Sequence, residues 1–100
     1  MASRIQVDQA ALAAFCRRNA IVKLAFFGSV LRDDFTPESD VDVLVEFAPG
    51  RTPGFFGLHA MEQELVGLLG GRRVDMLTFK GLNPRLRDRV VASAEVQFAA

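Results

Sequence analysis

The stretch Val41–Phe47 constrains this chain more than any other. Val41, Val43, Val45 and Phe47 alternate with Asp42, Leu44 and Glu46, and Asp40 extends the second series one step upstream. A two-residue period over seven positions does not suit a helix, whose apolar residues recur every three to four positions. It specifies a strand with one apolar face for a core and a second face that opens on acidic side chains. One strand is not a fold, so the rest of the chain must supply neighbours and a covering layer.

The flanking sequence supplies both. Residues 8–19 read as a helix: Asp8 suits the N-cap, Leu12, Phe15 and Cys16 share a face, and Asn19 suits the end. Ile21–Phe27 is a short apolar strand stopped by Gly28, a helical turn follows at 29–32, and residues 34–39, with Thr36-Pro37-Glu38, form a loop. After Val41–Phe47 comes a Pro- and Gly-bearing loop at 48–54. A helix over 55–69 then places Leu58, Met61, Leu65, Leu68 and Leu69 on its core side, and Gly70-Gly71 ends it. Residues 74–79 form a third strand. Asn83-Pro84 opens a last helix running to about residue 94, and residues 96–98 form a short final strand. The order specifies an α/β (α+β) fold, a small sheet flanked by helices, as a single domain over residues 1–100.

Composition narrows the function classes. Half of the 100 residues are hydrophobic, and twelve basic residues balance twelve acidic ones. That balance argues against a protein held to a nucleic-acid strand by phosphate neutralisation, and zero net charge favours association with a partner or a second copy. The single Cys16 offers no intrachain disulfide, and neither a leader nor an apolar run long enough for a membrane span is visible, so the expected location is cytoplasmic.

Two segments carry chemistry. Asp40 and Asp42 lie two apart on a strand, hence on one face and about 7 Å apart along the chain. Like charges so placed repel, and a hard divalent cation resolves the conflict; Mg²⁺ favours one or two carboxylates together with substrate phosphate oxygens. Gly28-Ser29, between a strand and a helical turn, supplies a tight bend, free N–H groups and a hydroxyl for an anion. Asp75 stands alone among Val74, Met76 and Leu77, and a charge on an apolar strand calls for a metal or for a cation such as Arg72 or Arg73. On a strand next to Val41–Phe47 it would complete a three-carboxylate cluster of the kind that holds two Mg²⁺ ions for attack on a phosphoryl group. His59, beside Glu62 and Gln63, belongs to a solvated helix face; Arg85, Arg87 and Arg89 suit a solvated, locally paired face or a partner-docking one, and Cys16 belongs to the core. Phe55 and Phe56 suit either the core or a contact surface.

Gly28-Ser29 followed, after ten residues, by Asp40-Val41-Asp42 resembles the signature of the DNA polymerase β nucleotidyltransferase superfamily. More narrowly, the chain is similar to the minimal nucleotidyltransferases, often encoded beside a HEPN-domain RNase as its antitoxin. The resemblance runs from about residue 21 through the Asp75 strand to the last helix. It implies a DNA polymerase β-like core with a small mixed sheet, and Asp40, Asp42 and Asp75 as catalytic metal ligands for Mg²⁺, with two ions. It makes Gly28 and Ser29 the triphosphate site, with Arg32 and Ser39 as further nucleotide-binding residues. Val30 and Asp33 depart from the Gly-Ser-Arg-Ala-Arg-Gly of many members, removing one cation and adding an anion beside the phosphates.

The implied reaction is transfer of AMP from ATP to a hydroxyl, with release of pyrophosphate. The core occupies the whole chain and leaves no element to hold a template or enclose a drug, so the acceptor is expected on another molecule: a tyrosine of a HEPN RNase toxin, silenced by adenylylation. Two alternatives stand beside it. One is an antitoxin that masks its partner stoichiometrically; the other is a nucleotidyltransferase acting on a small hydroxylated molecule of the aminoglycoside type.

Overall fold

The computed structural model describes residues 7–28 and 40–100. Helix α1 spans Gln9–Arg18, strands β1 and β2 Ile21–Phe27 and Val41–Phe47, helix α2 Phe55–Leu68, and strand β3 Val74–Thr78. A 3₁₀ turn at Phe79–Gly81, helix α3 at Pro84–Ser93 and strand β4 at Glu95–Ala99 complete the chain. The helical turn expected at 29–32 and the loop at 34–39 lie outside the described residues, and with them Ser29, Val30, Arg32, Asp33 and Ser39.

The four strands form one mixed sheet in the order β3-β2-β1-β4. β1 runs antiparallel to β2 and to β4, whereas β2 and β3 are parallel, as their connection through α2 requires. The alternation in β2 resolves as it must: Val41, Val43, Val45 and Phe47 are buried, while Asp42 and Glu46 face away from that core. They pack with Leu24 and Phe26 of β1, Val74 and Met76 of β3, and Leu12, Phe15 and Cys16 of α1. From α2, Leu65 and the C-cap residue Leu69 enter this core, whereas Leu58, Met61 and Leu68 pack only partly against it. An ion pair between Arg18 and Glu64 joins the two helices at the surface.

Local signals account for the helix ends. The Asp8 carboxylate accepts the Ala11 N–H at 3.1 Å, and Arg17 and Arg18 sit in the last turn of α1, where the helix dipole favours cations. The Asn83 side chain accepts the Arg85 N–H at 2.9 Å, with Pro84 at the first helical position of α3. The third strand is shorter than the sequence pattern suggests, because the Thr78 hydroxyl accepts the Gly81 N–H at 3.1 Å and turns Phe79 into the 3₁₀ segment. β4 is longer, since pairing with β1 carries it from Glu95 to Ala99. On the sheet face away from α1 and α2, Phe79, Val91 and Ala94 stand over Ala25, Leu44 and Val96 around a cavity of about 170 Å³. Among the described residues no helix is long and apolar enough to cross a membrane.

Candidate active site

Sheet order, rather than sequence proximity, assembles the site. Phe27 at the end of β1 is the register partner of Asp42, and Asp42 is the register partner of Asp75 on β3. Register partners on neighbouring strands point to the same face about 4.8 Å apart. Asp42 and Asp75 therefore project side by side from the face turned away from the main core, Asp42 half-buried and Asp75 exposed.

Gly28 closes this arrangement from the β1 side. Its φ is +75°, a left-handed backbone that L side chains rarely adopt, and a Cβ built on it would lie 2.3 Å from Asp42 Oδ2 and 3.2 Å from Asp42 Cγ. The backbone thus bends against one carboxylate oxygen, and only a residue without a side chain leaves that space open. Such an approach suits a site where phosphate oxygens must meet both backbone N–H groups and a carboxylate-bound cation.

Asp40, one residue before β2, is tied to the turn that precedes β3. Its Oδ1 lies 3.0 Å from Arg73 Nε, and the neighbouring Val41 N–H donates to the Arg73 carbonyl at 2.8 Å. Both charged side chains are more than half exposed, so the ion pair adds little stability and is readily exchanged for another partner of the carboxylate. Of the two arginines offered as ion-pair partners of Asp75, Arg73 engages Asp40 instead. Asp40, Arg73, Asp75 and Glu62 border a cavity of about 370 Å³ between β3 and α2.

Glu62 corrects the sequence reading. Instead of lying on a solvated helix face, its Oε2 accepts the Met76 N–H at 3.0 Å, which ties α2 to the outer edge of β3 immediately after Asp75. His59 does lie at the surface, with Nδ1 3.9 Å from Glu62 Oε1. The arginines of α3 are likewise not one uniform face. The Arg87 guanidinium lies 5.0 Å from the Phe79 ring centre, and Arg89 borders a cavity of about 220 Å³ with Phe27, Gly28, Val90 and Ser93. No spacing signal in the sequence marks Glu62 or Arg89, because each role depends on which strand end its helix meets. Phe55 and Phe56 are 81% and 85% exposed, in edge-to-face contact with each other at 5.7 Å, and take no part in the core.

A divalent cation fits this donor set. Among the described residues no three His, Cys, Asp or Glu side chains converge closely enough to hold an ion unaided. The three-carboxylate cluster expected of Asp40, Asp42 and Asp75 is therefore not assembled: Asp42 and Asp75 are adjacent, whereas Asp40 is turned to Arg73, and Mg²⁺ would need substrate and water to complete its shell. Asp42 and Asp75 supply the adjacent pair, and the space a Cβ at Gly28 would fill stays open beside Asp42 Oδ2.

Comparison with known proteins agrees with this geometry. Residues 9–96 match the family model described as a nucleotidyltransferase domain. A protein of Methanocaldococcus jannaschii, named as an inferred protein adenylyltransferase, is 34% identical over 77 residues, covering 77% of this chain and 80% of its own. The solved structure of a protein described as an inferred minimal nucleotidyltransferase superposes with a TM-score of 0.71 at 40% identity, covering 86% of this chain and 85% of that one. The fold also recurs, at 20% identity and a TM-score of 0.75, over 94% of this chain and 75% of a chain in a toxin–antitoxin crystal structure with AMP-PNP. The chain belongs to the nucleotidyltransferase domain family: it is a minimal nucleotidyltransferase, an enzyme built on the DNA polymerase β-type fold.

Proposed function

We propose that this enzyme transfers AMP from ATP, with Mg²⁺, to a tyrosine hydroxyl of a partner HEPN-domain RNase toxin and so serves as its antitoxin. The observation that carries the reading is the packing of Gly28 against Asp42 Oδ2, with Asp75 in register beside it. The names of the archaeal relatives and the toxin–antitoxin neighbour support the choice of acceptor.

In this reading the acceptor oxygen attacks the α-phosphorus and the bond to the pyrophosphate oxygen breaks in line. Asp42 and Asp75 would hold Mg²⁺, with Asp40 as a further ligand in place of its contact with Arg73; Ser29, Arg32 and Ser39 would complete the nucleotide site. Bound Mg²⁺ neutralises charge on the phosphates and favours the ionised acceptor. Asp75, the exposed carboxylate, would take the proton leaving the hydroxyl. The Gly28 turn aligns the triphosphate so that pyrophosphate leaves away from the acceptor.

The test uses the partner in excess. A catalytic amount of this protein with ATP and Mg²⁺ should place AMP on a partner tyrosine, read by mass spectrometry, and silence the RNase. Silencing only at equimolar protein and without nucleotide would establish masking instead. Label appearing on an aminoglycoside and on no protein would establish a small-molecule acceptor.

A further inference from the structure

We propose that Arg89 of α3 is a phosphate-binding residue of this enzyme, taking the pyrophosphate end of the bound nucleoside triphosphate. The inference deepens the function proposed above and rests on it. Arg89 borders the cavity of about 220 Å³ whose other walls include Phe27, Gly28 and Val90. Gly28 thus lies against Asp42 and also lines a space that holds an arginine. The reacting α-phosphate belongs beside the carboxylates, so the remaining phosphates extend along the Gly28 turn, toward that space.

Charge makes the same demand. From Gly28 to Asp34 the chain carries one cation, Arg32, against Asp33 and Asp34, so this segment alone leaves a triphosphate poorly neutralised. Several other described arginines face elsewhere: Arg73 lies with Asp40 on the β3 side, Arg18 pairs with Glu64, Arg87 stands over the Phe79 ring and Arg17 over the Phe98 ring. Ser93, one turn beyond Arg89, turns its hydroxyl onto the Arg89 and Val90 carbonyls and is spent on its own helix. Arg89 is exposed and presents five donors in a fork that matches phosphate oxygens.

Calorimetric titration of the folded protein with Mg-ATP, inorganic pyrophosphate and AMP tests this, using the parent, Arg89→Ala, Arg89→Lys and, as a control on the same helix, Arg85→Ala. Loss of a charge-assisted phosphate contact should weaken ATP and pyrophosphate binding at least ~10-fold in Arg89→Ala. AMP binding should hold, Arg89→Lys should recover part of the loss, and Arg85→Ala should match the parent. Parent-like binding of ATP and pyrophosphate by Arg89→Ala overturns the assignment, as does an equal loss for AMP. Melting curves confirm that each variant is folded, and Arg89→Gln replaces the alanine variant if that one is not. A parent that binds neither ATP nor pyrophosphate refutes the nucleotide reading itself, and Arg89 falls with it.

Discussion

Replacing Gly28 by alanine tests the structural basis of the site directly. Two penalties follow from the geometry. The φ of +75° places an L residue in the left-handed region, which costs roughly 1–2 kcal/mol. The new methyl group would lie 2.3 Å from Asp42 Oδ2, where ordinary contact begins near 3.4 Å, so the carboxylate must move by about 1 Å. Forcing Asp42 off its rotamer adds about 0.5–1.5 kcal/mol, while the lower entropy of an unfolded alanine offsets about 0.4–1 kcal/mol of the penalty. The net loss is about 0.5–3 kcal/mol, or roughly 2–24 °C in Tm for a domain of this size.

Gly50→Ala separates the two penalties. Gly50 has nearly the same backbone, φ +73°, but nothing within 4 Å of its Cβ position, so only the conformational cost applies. Urea and thermal melts of the two variants should differ by about 1 kcal/mol, the part due to Asp42. In an Asp42→Ala background the difference should vanish, since the obstructing oxygen is gone; that coupling is what a double-mutant cycle reads. Mg²⁺ with a non-hydrolysable ATP analogue should raise the Tm of Gly50→Ala as it does the parent's, and raise that of Gly28→Ala far less. Equal losses for the two glycines, or a Gly28→Ala loss unchanged when Asp42 is truncated, would refute the argument.

Asp42→Asn removes one of two in-register like charges, so with chelator it should melt no lower than the parent, while the gain from Mg²⁺ and nucleotide is lost; a large drop in chelator with an undiminished gain counts against a metal role. Glu62→Ala leaves the Met76 N–H without its acceptor and should lower stability by about 1–3 kcal/mol in urea melts, with Glu62→Gln close to the parent; equal losses for the two would mean that the hydrogen bond is not what matters. Burial pushes the Cys16 thiol up to about 11 from 9.0. The native state therefore keeps its proton where the unfolded chain has lost it, and stability should fall between about pH 9 and 11 by roughly 3 kcal/mol more in the parent than in Cys16→Ala. Parallel pH profiles would show that the thiol does not titrate in this way.

What the sequence revealed, and what it hid, follows from the range of the interactions. The strand Val41–Phe47 was legible because its core and its acidic face are both encoded with a period of two. The caps of α1 and α3 were legible because Asp8 and Asn83 act on residues two or three positions away. Asp75 stood out as a charge in an apolar strand, but its pairing with Asp42 depends on β3 lying parallel beside β2, and no local pattern states that. Glu62 was read as surface because its helix face is polar; what makes it structural is the edge of β3, which no other strand pairs among the described residues, a feature visible only once the sheet order is known. Burial on α2 is confined to Leu65 and Leu69 because the helix meets the core mainly at its C-terminal end, which a count of apolar positions overstates.

The two carboxylates at the centre of the site are held to different degrees, and the difference bears on how it works. Asp42 stands on an inner strand, fixed by β1 on one side and β3 on the other, with the Gly28 backbone against its oxygen. Asp75 stands on an edge strand that has sheet hydrogen bonds on one side only, and on its other side Glu62 supplies an acceptor for the Met76 N–H. Mg²⁺ demands near-octahedral geometry, which two rigid strands at a fixed spacing meet poorly. In the proposed metal site an inner strand beside an edge strand would meet it better, because Asp75 would be freer to adjust to the ion and the phosphates while Asp42 kept the reference position. Asp40 adds a third degree of freedom, since its partner Arg73 is exposed and exchangeable. If these carboxylates hold the metal as proposed, the site would run from a fixed ligand, Asp42, through a tethered one, Asp75, to an exchangeable one, Asp40, and a bound nucleotide would supply the oxygen atoms that the protein does not.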